Sequence, residues 1–443
     1  MAGDRFLSYL EALKGDFVKV AKLDFLNEDG TVAFTLDNDP KNRRSGAFLQ
    51  SGDITCNLNN GMRREGSITL SNLSGDYDFS VNRIWYGMTV RLSEGLILSD
   101  GSEYLIPQGV FEILQPNEQY KPDGNSVTYR LVDKWARLDG SLGGNLDGAY
   151  SVNAGTNILA AIASLLRLGR YDMENNSPQP IDPMAPLLTN YYNDKTQTLT
   201  DGTVVSLVDA PYDYVSSEDA TIADVILGLG EMLAAWVGYN QIGRLEVDPS
   251  QDDIADQTKP VLWDFTADEK QLLHVEYEVH SEDLFNDLIV VGDTSDTGYT
   301  ARARAQNRDI SSDTCISRIG LKTKRMHAEN YYSDDICAAR AEWELKRAAV
   351  LPKTVSIECT QMFHIVENGI VTIRRDDKTG APVERHVVQG WTRPIGQTGT
   401  MIINAVSTMD YPEITLLSDI EGDPNAIAGL AVAGMAIAGT SSN

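Results

Sequence analysis

The chain has 443 residues, 42 % of them hydrophobic and 23 % charged, so a sizeable core and two to four domains are expected. Its formal net charge of −27 argues against neutralising a nucleic-acid backbone or coating an anionic membrane, both of which need clustered Lys and Arg. No stretch is apolar for long enough to span a bilayer, and the opening MAGDRFLSYLEALKGD, broken by Glu11 and Lys14, lacks a secretory signal's apolar centre, so synthesis in the cytoplasm without classical export is expected.

Phe6, Leu7, Leu10 and Leu13 recur at helical spacing and predict a short N-terminal helix within 1–14. From Phe17 the pattern becomes alternation. FVKVAKLDFLNEDGTVAFTLDND reads as strand, turn at Glu28-Asp29-Gly30, strand. DITCNLNN, EGSITLSNL, MTVRLSEGLILSDG, EYLIPQGVFEILQPNEQY and NSVTYRLVDKWARLDG continue in strand-like runs. Turn residues such as Asn60-Gly61, Asp100-Gly101 and Asp123-Gly124 separate them. Short strands at this spacing predict a barrel-like first β domain over 15–140.

SLGGNLDG (141–148) reads as a flexible linker, because no Gly-Lys-Ser/Thr follows the glycine pair to make a phosphate loop. A helix follows at 156–169, capped by Thr156 or Asn157 and ended by Gly169. A second is expected from Thr221 to Gly238, and GRLEVDPS returns to strand. These make 141–262 an α/β middle domain. The second β region, 263–417, contains LHVEYEVH, DLIVVGD, TVSIECTQ, NGIVTIRRDD, ERHVVQGWTRP and GTMIINAVSTMDYPEITLL. It is interrupted by a helix at 329–350 that Ser333 or Asp334 caps and Pro352 ends. TGYTARARAQN fits strand or loop. Residues 418–443 form an apolar, Ala/Gly-rich tail. The fold class is therefore α+β, mainly β, with two barrel-like domains, an α/β domain between them and a helix inserted in the second.

The search for chemistry assigns no catalytic, cofactor-binding or metal-ligating residue. Cys56, Cys315, Cys337 and Cys359 form no CxxC pair and have no His at ligand spacing, so reduced core thiols are expected instead of zinc. His274 and His280 share one face of a strand, but six residues of strand set them roughly 20 Å apart. His364 precedes a strand with no partnering acid or second His nearby, and no catalytic or ligand role is expected for His327 or His386. Asp252-Asp253, Asp334-Asp335 and Asp376-Asp377 sit where turns and helix starts want carboxylates, and Asp100, Asp123 and Asp201 precede turn glycines. No calcium loop, GxSxG or HExxH occurs. Trp85-Tyr86, Trp135, Trp391 and Tyr411 flank β runs and read as core or interface anchors, since a base-stacking platform wants basic neighbours.

GVFEILQPNEQYKPDGNSVTYRLVDKWARLDG (109–140) resembles the strand, polar hairpin and Asp-Lys-Trp strand of tail-tip proteins from phages of Gram-positive bacteria. FNDLIVVGD (285–293) is similar to the Asn-x-Val-x-Val-x-Gly strand that opens the second barrel of baseplate hub proteins. AARAEWELKRAA, TVSIECTQ, NGIVTIRRDD and HVVQGWTRPIGQTGTMIINAVST follow in that family's order, so the likeness spans most of 15–415. The resemblance implies a non-enzymatic virion component, made in the bacterial host. It implies a homotrimer whose six barrels continue a hexameric tail tube around a DNA channel. The implied partners are the tail tube, distal tail and tape measure proteins and a tip spike or fibre. DNA would pass without specific binding, helped by an acidic lumen, with no stable membrane insertion and no cofactor. The sequence stops soon after the second β region, so the C-terminal peptidase or glycosidase of many long-tailed phage hubs is not expected, and the tail is a candidate for closing the channel. Three other readings stand beside this one: a distal tail ring protein or spike subunit; a carbohydrate-active enzyme with two carboxylates roughly 5–10 Å apart across a cleft; and a glycan-binding adhesin using Trp85 or Trp391.

Overall fold

The computed structural model describes residues 2–417 apart from 40, 42–47, 60, 82, 121–123, 173–176, 183, 189–195, 199–203, 234, 250–258, 266–270, 280–283, 295–297, 329–330, 332–333, 350–352, 375–382, 397 and 409–410. The expected apolar tail, 418–443, lies outside the described residues. The chain is α+β and mainly β.

Helix α1 (Ala2–Leu13) is followed by seven strands: β1 (Lys19–Leu26), β2 (Val32–Asp37), β3 (Leu49–Asn57), β4 (Arg64–Ser71), β5 (Thr89–Ile97), β6 (Glu103–Gln119) and β7 (Ser126–Asp133). Every run the alternation marked here is a strand. Buried Leu23, Phe25, Ile54, Ile68, Val90, Leu92, Phe111, Val127 and Leu131 supply the inward face, as period two requires. Helix α1 lays Tyr9 and Leu13 into the same core.

Helices α2 (Ile158–Leu166) and α3 (Ile222–Met232) carry the middle segment. The Asn157 side chain accepts the Ala160 N–H at 3.0 Å, and Thr221 and Asp224 make a reciprocal capping box. The expected helix to Gly238 is corrected here. Helix α3 ends at Met232, and strand β8 (Ala235–Tyr239) pairs with β9 (Leu245–Pro249). Trp236, Val237 and Tyr239 are β formers, and Gly228 and Gly230 weaken the helix before them. A Cβ on Gly230 would meet Val237 Cγ2 at 2.5 Å, so the helix lies directly on the strand that follows it.

The second β region divides between two sheets. Strands β10 (Val261–Phe265), β11 (Leu272–Val279), β15 (Lys353–Thr360), β16 (Ile370–Arg374), β17 (Val383–Pro394) and β18 (Thr400–Ser407) join the first seven strands in one 13-stranded sheet. Its main path runs β11-β15-β18-β17-β3-β4-β7-β6-β5-β1-β2, with β16 and β10 branching from β17. Strand β17 is the seam. Val383–Val387 pair with β16 on the edge where Gly390–Pro394 pair with β3, and β18 covers the opposite edge. The main path is open, with β11 and β2 as its edges. One hydrophobic core, from Tyr9 to Ile403, fills both halves.

The remaining strands form a four-stranded sheet: β12 (Asp287–Thr294), β13 (Thr300–Asn307), β14 (Thr323–His327) and β19 (Ile414–Leu416), in the order β14-β12-β13-β19. Helix α4 (Asp334–Ala349) packs on it through Cys337, Ala341 and Leu345. TGYTARARAQN is therefore strand from Thr300. Thr323–His327, unmarked by alternation, is a strand paired in parallel with β12.

Candidate functional site

The chemistry of this molecule is concentrated in buried ion pairs where its segments meet. Arg63 and Arg64 leave the β3–β4 turn and point inward, with side-chain exposures of 0 % and 1 %. Arg64 pairs with Glu367 and donates through Nη1 to the Tyr239 carbonyl at 2.5 Å. Arg63 Nη1 lies 3.7 Å from Glu246 and 4.0 Å from Glu367. One knot thus joins the first β region, the middle segment and the second β region. Burial alone would raise the Glu367 carboxyl, but Arg64 and Arg63 hold it below the usual range. Asp133 accepts the N–H groups of Arg63 at 2.9 Å, Arg64 at 3.0 Å and Trp135 at 2.9 Å, and burial still pushes it up to about 6.

A second knot lies on the other side of the seam. Arg393 donates to Glu94 at 2.7 Å and to Gln108 at 2.6 Å, and Gln108 donates to the Phe363 carbonyl at 3.0 Å. Burial raises Glu94 and lowers Arg393. A third holds the middle segment, with Lys134 2.6 Å from Asp182 and the Tyr239 hydroxyl donating to Asp182 at 2.9 Å. None of the three is legible as a motif in the sequence. Consecutive arginines before a strand were the one available signal, since an alternating run seldom sends two long cations to its interior.

The residues singled out in the sequence do not converge. His274 is exposed on β11, and His280 lies outside the described residues. His327 is 3.5 Å from Asp293, and His386 Nε2 is 3.6 Å from Glu384. His364 is buried between α1 and β10, with Nδ1 3.1 Å from the Tyr9 hydroxyl and Nε2 3.3 Å from the Leu262 carbonyl. Asp100 turns back on Ser102, and Asp334 accepts the Arg302 N–H at 2.8 Å at the start of α4. Asp252-Asp253, Asp376-Asp377, Asp123 and Asp201 lie outside the described residues. The four cysteines are buried and unpaired. Among the described residues no cluster of three metal-ligating side chains forms. Trp391 is only 2 % exposed, which removes it as a glycan platform, whereas Trp85 is 51 % exposed. Trp135 is buried, and Tyr411 lines a cleft of about 760 Å³ between the large sheet and α4, with Glu276, Glu278 and Arg347.

Charge along the sequence is segregated. Residues 151–299 hold 26 acidic and 6 basic residues, so most of the chain's net charge of −27 arises there. Within it, 196–243 contain no Lys, Arg or His, and Asp213, Glu218, Asp219, Asp224 and Glu231 are exposed on and before α3. Residues 300–327 reverse the sign, with 7 basic and 2 acidic residues.

The sequence matches no family model and no curated protein. Solved structures do share the fold. The 43 kDa tail protein of prophage MuSo2 from Shewanella oneidensis is 12 % identical, with a TM-score of 0.55 over 87 % of this chain and 98 % of that one. The tail protein from Neisseria meningitidis MC58 is 9 % identical, with a TM-score of 0.56 over 88 % of this chain and 96 % of that one. The chain therefore shares the fold of these two tail proteins.

Proposed function

We propose that the chain is a structural, non-enzymatic subunit of the tail tip of a phage or phage-like particle, a baseplate hub that joins the tail tube to the tip. The observation that carries this reading is the fold shared with two tail proteins over nearly their whole lengths. In this reading the β regions 15–140 and 263–417 act as two tube-forming, barrel-like domains. Three copies then make a ring of pseudo-sixfold symmetry, with 141–262 outside it. Buried ion pairs suit such a part, because they fix the relative placement of segments that must meet a ring in register. The net charge of −27 favours passage of DNA without stable binding. Tail tube, distal tail and tape measure proteins and a spike or fibre are the expected neighbours, in a virion assembled in a bacterial cytoplasm.

Mass measurement with electron microscopy of the purified protein tests this. A trimeric ring with a central opening is expected. A hexamer would favour a distal tail ring, and a species that stays monomeric at high concentration would remove the hub reading.

A further inference from the structure

We propose that the basic edge strand β14 is a docking surface for a second copy of this chain, and that it seats on the acidic ridge formed by Asp213, Glu218, Asp219, Asp224 and Glu231. The inference rests on the proposed homo-oligomer and names the contact within it.

Strand β14 is an edge of the four-stranded sheet and, among the described residues, pairs only with β12. Thr323, Lys324, Arg325 and His327 are exposed, as are Leu321 and Lys322 just before them. Lys324 stands over the Phe285 ring at 4.8 Å. Among the described residues no carboxylate comes within ion-pairing distance of Lys322, Lys324 or Arg325. Three exposed cations on and just before one edge strand, unpaired among the described residues, are out of character in a chain of net charge −27.

The strand is also held rigidly. Asn286 accepts the Lys322 N–H at 2.8 Å and donates to the carbonyls of Thr314 at 3.0 Å and Gly320 at 2.8 Å. Asp287 accepts from Thr323 Oγ1 at 2.6 Å and from Arg304 through both oxygens, at 2.8 and 2.7 Å. The FND sequence before the β12 strand therefore fixes both ends of the loop that delivers the cations. A preorganised patch loses little freedom on docking.

Charge complementarity selects the occupant. The acidic ridge has no basic residue of its own in sequence from 196 to 243, and its carboxylates are exposed on the capped start and flank of α3. Among the described residues no ion pair joins ridge and strand within one chain. Patches of opposite sign on different elements of one molecule can pair head to tail between copies, and such contacts form a ring where the rotation closes. Lysines on an edge strand also guard against strand-to-strand aggregation, a role that other charged side chains share. Charge reversal separates the two roles.

The test uses the full chain and the variant Lys322→Glu/Lys324→Glu/Arg325→Glu, followed by mass photometry and sedimentation at low and high salt. The expected result is self-association weakened about tenfold, as the loss of three exposed pairs implies, with an unchanged melting curve. Partial recovery is expected when this variant is mixed with Glu218→Lys/Asp219→Lys/Glu231→Lys. Wild-type association should fall as salt rises. An oligomer equally strong in the triple variant overturns this contact while leaving the hub reading in place. A wild-type chain that never associates overturns both. Anisotropy with a fluorescent DNA duplex covers the other polyanion. Duplex binding lost in the triple variant while its oligomer persists assigns the strand to nucleic acid and overturns the proposal.

Discussion

His364 should make the N-terminal helix acid-sensitive. The Tyr9 hydroxyl accepts the Phe363 N–H at 2.9 Å, which directs its own proton to His364 Nδ1 at 3.1 Å. The Nε2 proton then goes to the Leu262 carbonyl at 3.3 Å. A neutral ring satisfies both nitrogens, while a protonated ring would oppose the Tyr9 proton and bury a charge among Phe6, Tyr9 and Trp263. Burial accordingly lowers the ring from its ordinary 6.5 to about 4. The unfolded chain binds a proton that the folded chain refuses, so stability is full above pH 6.5 and falls as pH drops towards 4. The loss is about 2 kcal/mol between pH 7.5 and 5.0, and about 3 kcal/mol below pH 4. Urea unfolding across that range, for the wild type and His364→Asn, measures it. Asparagine keeps an acceptor for Tyr9 and a donor for Leu262, and it does not titrate. Asp133, raised to about 6 by burial, pulls stability the opposite way in this window, but it is present in both proteins and cancels in the difference. The variant's stability should depend less on pH by about 2 kcal/mol. Parallel curves for the two proteins would refute the reasoning.

Other substitutions follow from the same geometry. Glu367→Gln leaves Arg63 and Arg64 buried without their shared carboxylate and should cost about 3–5 kcal/mol in chemical denaturation; adding Arg63→Met should recover part of it. Gly95→Ala places a Cβ 1.7 Å from the Tyr104 carbonyl oxygen, in the β5–β6 pairing, and should cost about 1–3 kcal/mol; a neutral result would show that the two strands are not so closely apposed. Trp391→Ala should cost about 3–5 kcal/mol, whereas Trp85→Ala at an exposed site should stay within about 0.5 kcal/mol, and equal losses would contradict the placement of these rings.

The strands of residues 17–133 were legible because one face of each is buried and the other is not, so period two survives in the sequence. Strand β14 was not legible for the same reason in reverse. An exposed edge needs no inward residues, and LKTKRMH carries no alternation. Helix α3 was legible at its Thr221 cap but not at its end, because AAWVG continues an apolar run that serves helix or strand, and only the hairpin with β9 decides between them. The ion-pair knots were opaque for a different reason. Arg63 and Glu246 are 183 positions apart, and Arg64 and Glu367 are 303 apart, distances at which no spacing rule operates.

The knots and the segregated charge constrain one another. Inside the chain, cations meet their carboxylates at the seams between segments, and Arg64, Arg393 and Lys134 are consumed there. Of the 37 basic residues, Lys322, Lys324 and Arg325 at β14 are exposed and, among the described residues, have no carboxylate within ion-pairing distance. Weak exposed pairs cannot set the placement of segments within a chain, but several together can choose which face meets a second copy. Buried pairs have the opposite character, since breaking one strands a charge in the interior. Geometry within the subunit and recognition between subunits are therefore assigned to different sets of charges. Salt should separate them, loosening contacts between copies at concentrations that leave the fold intact.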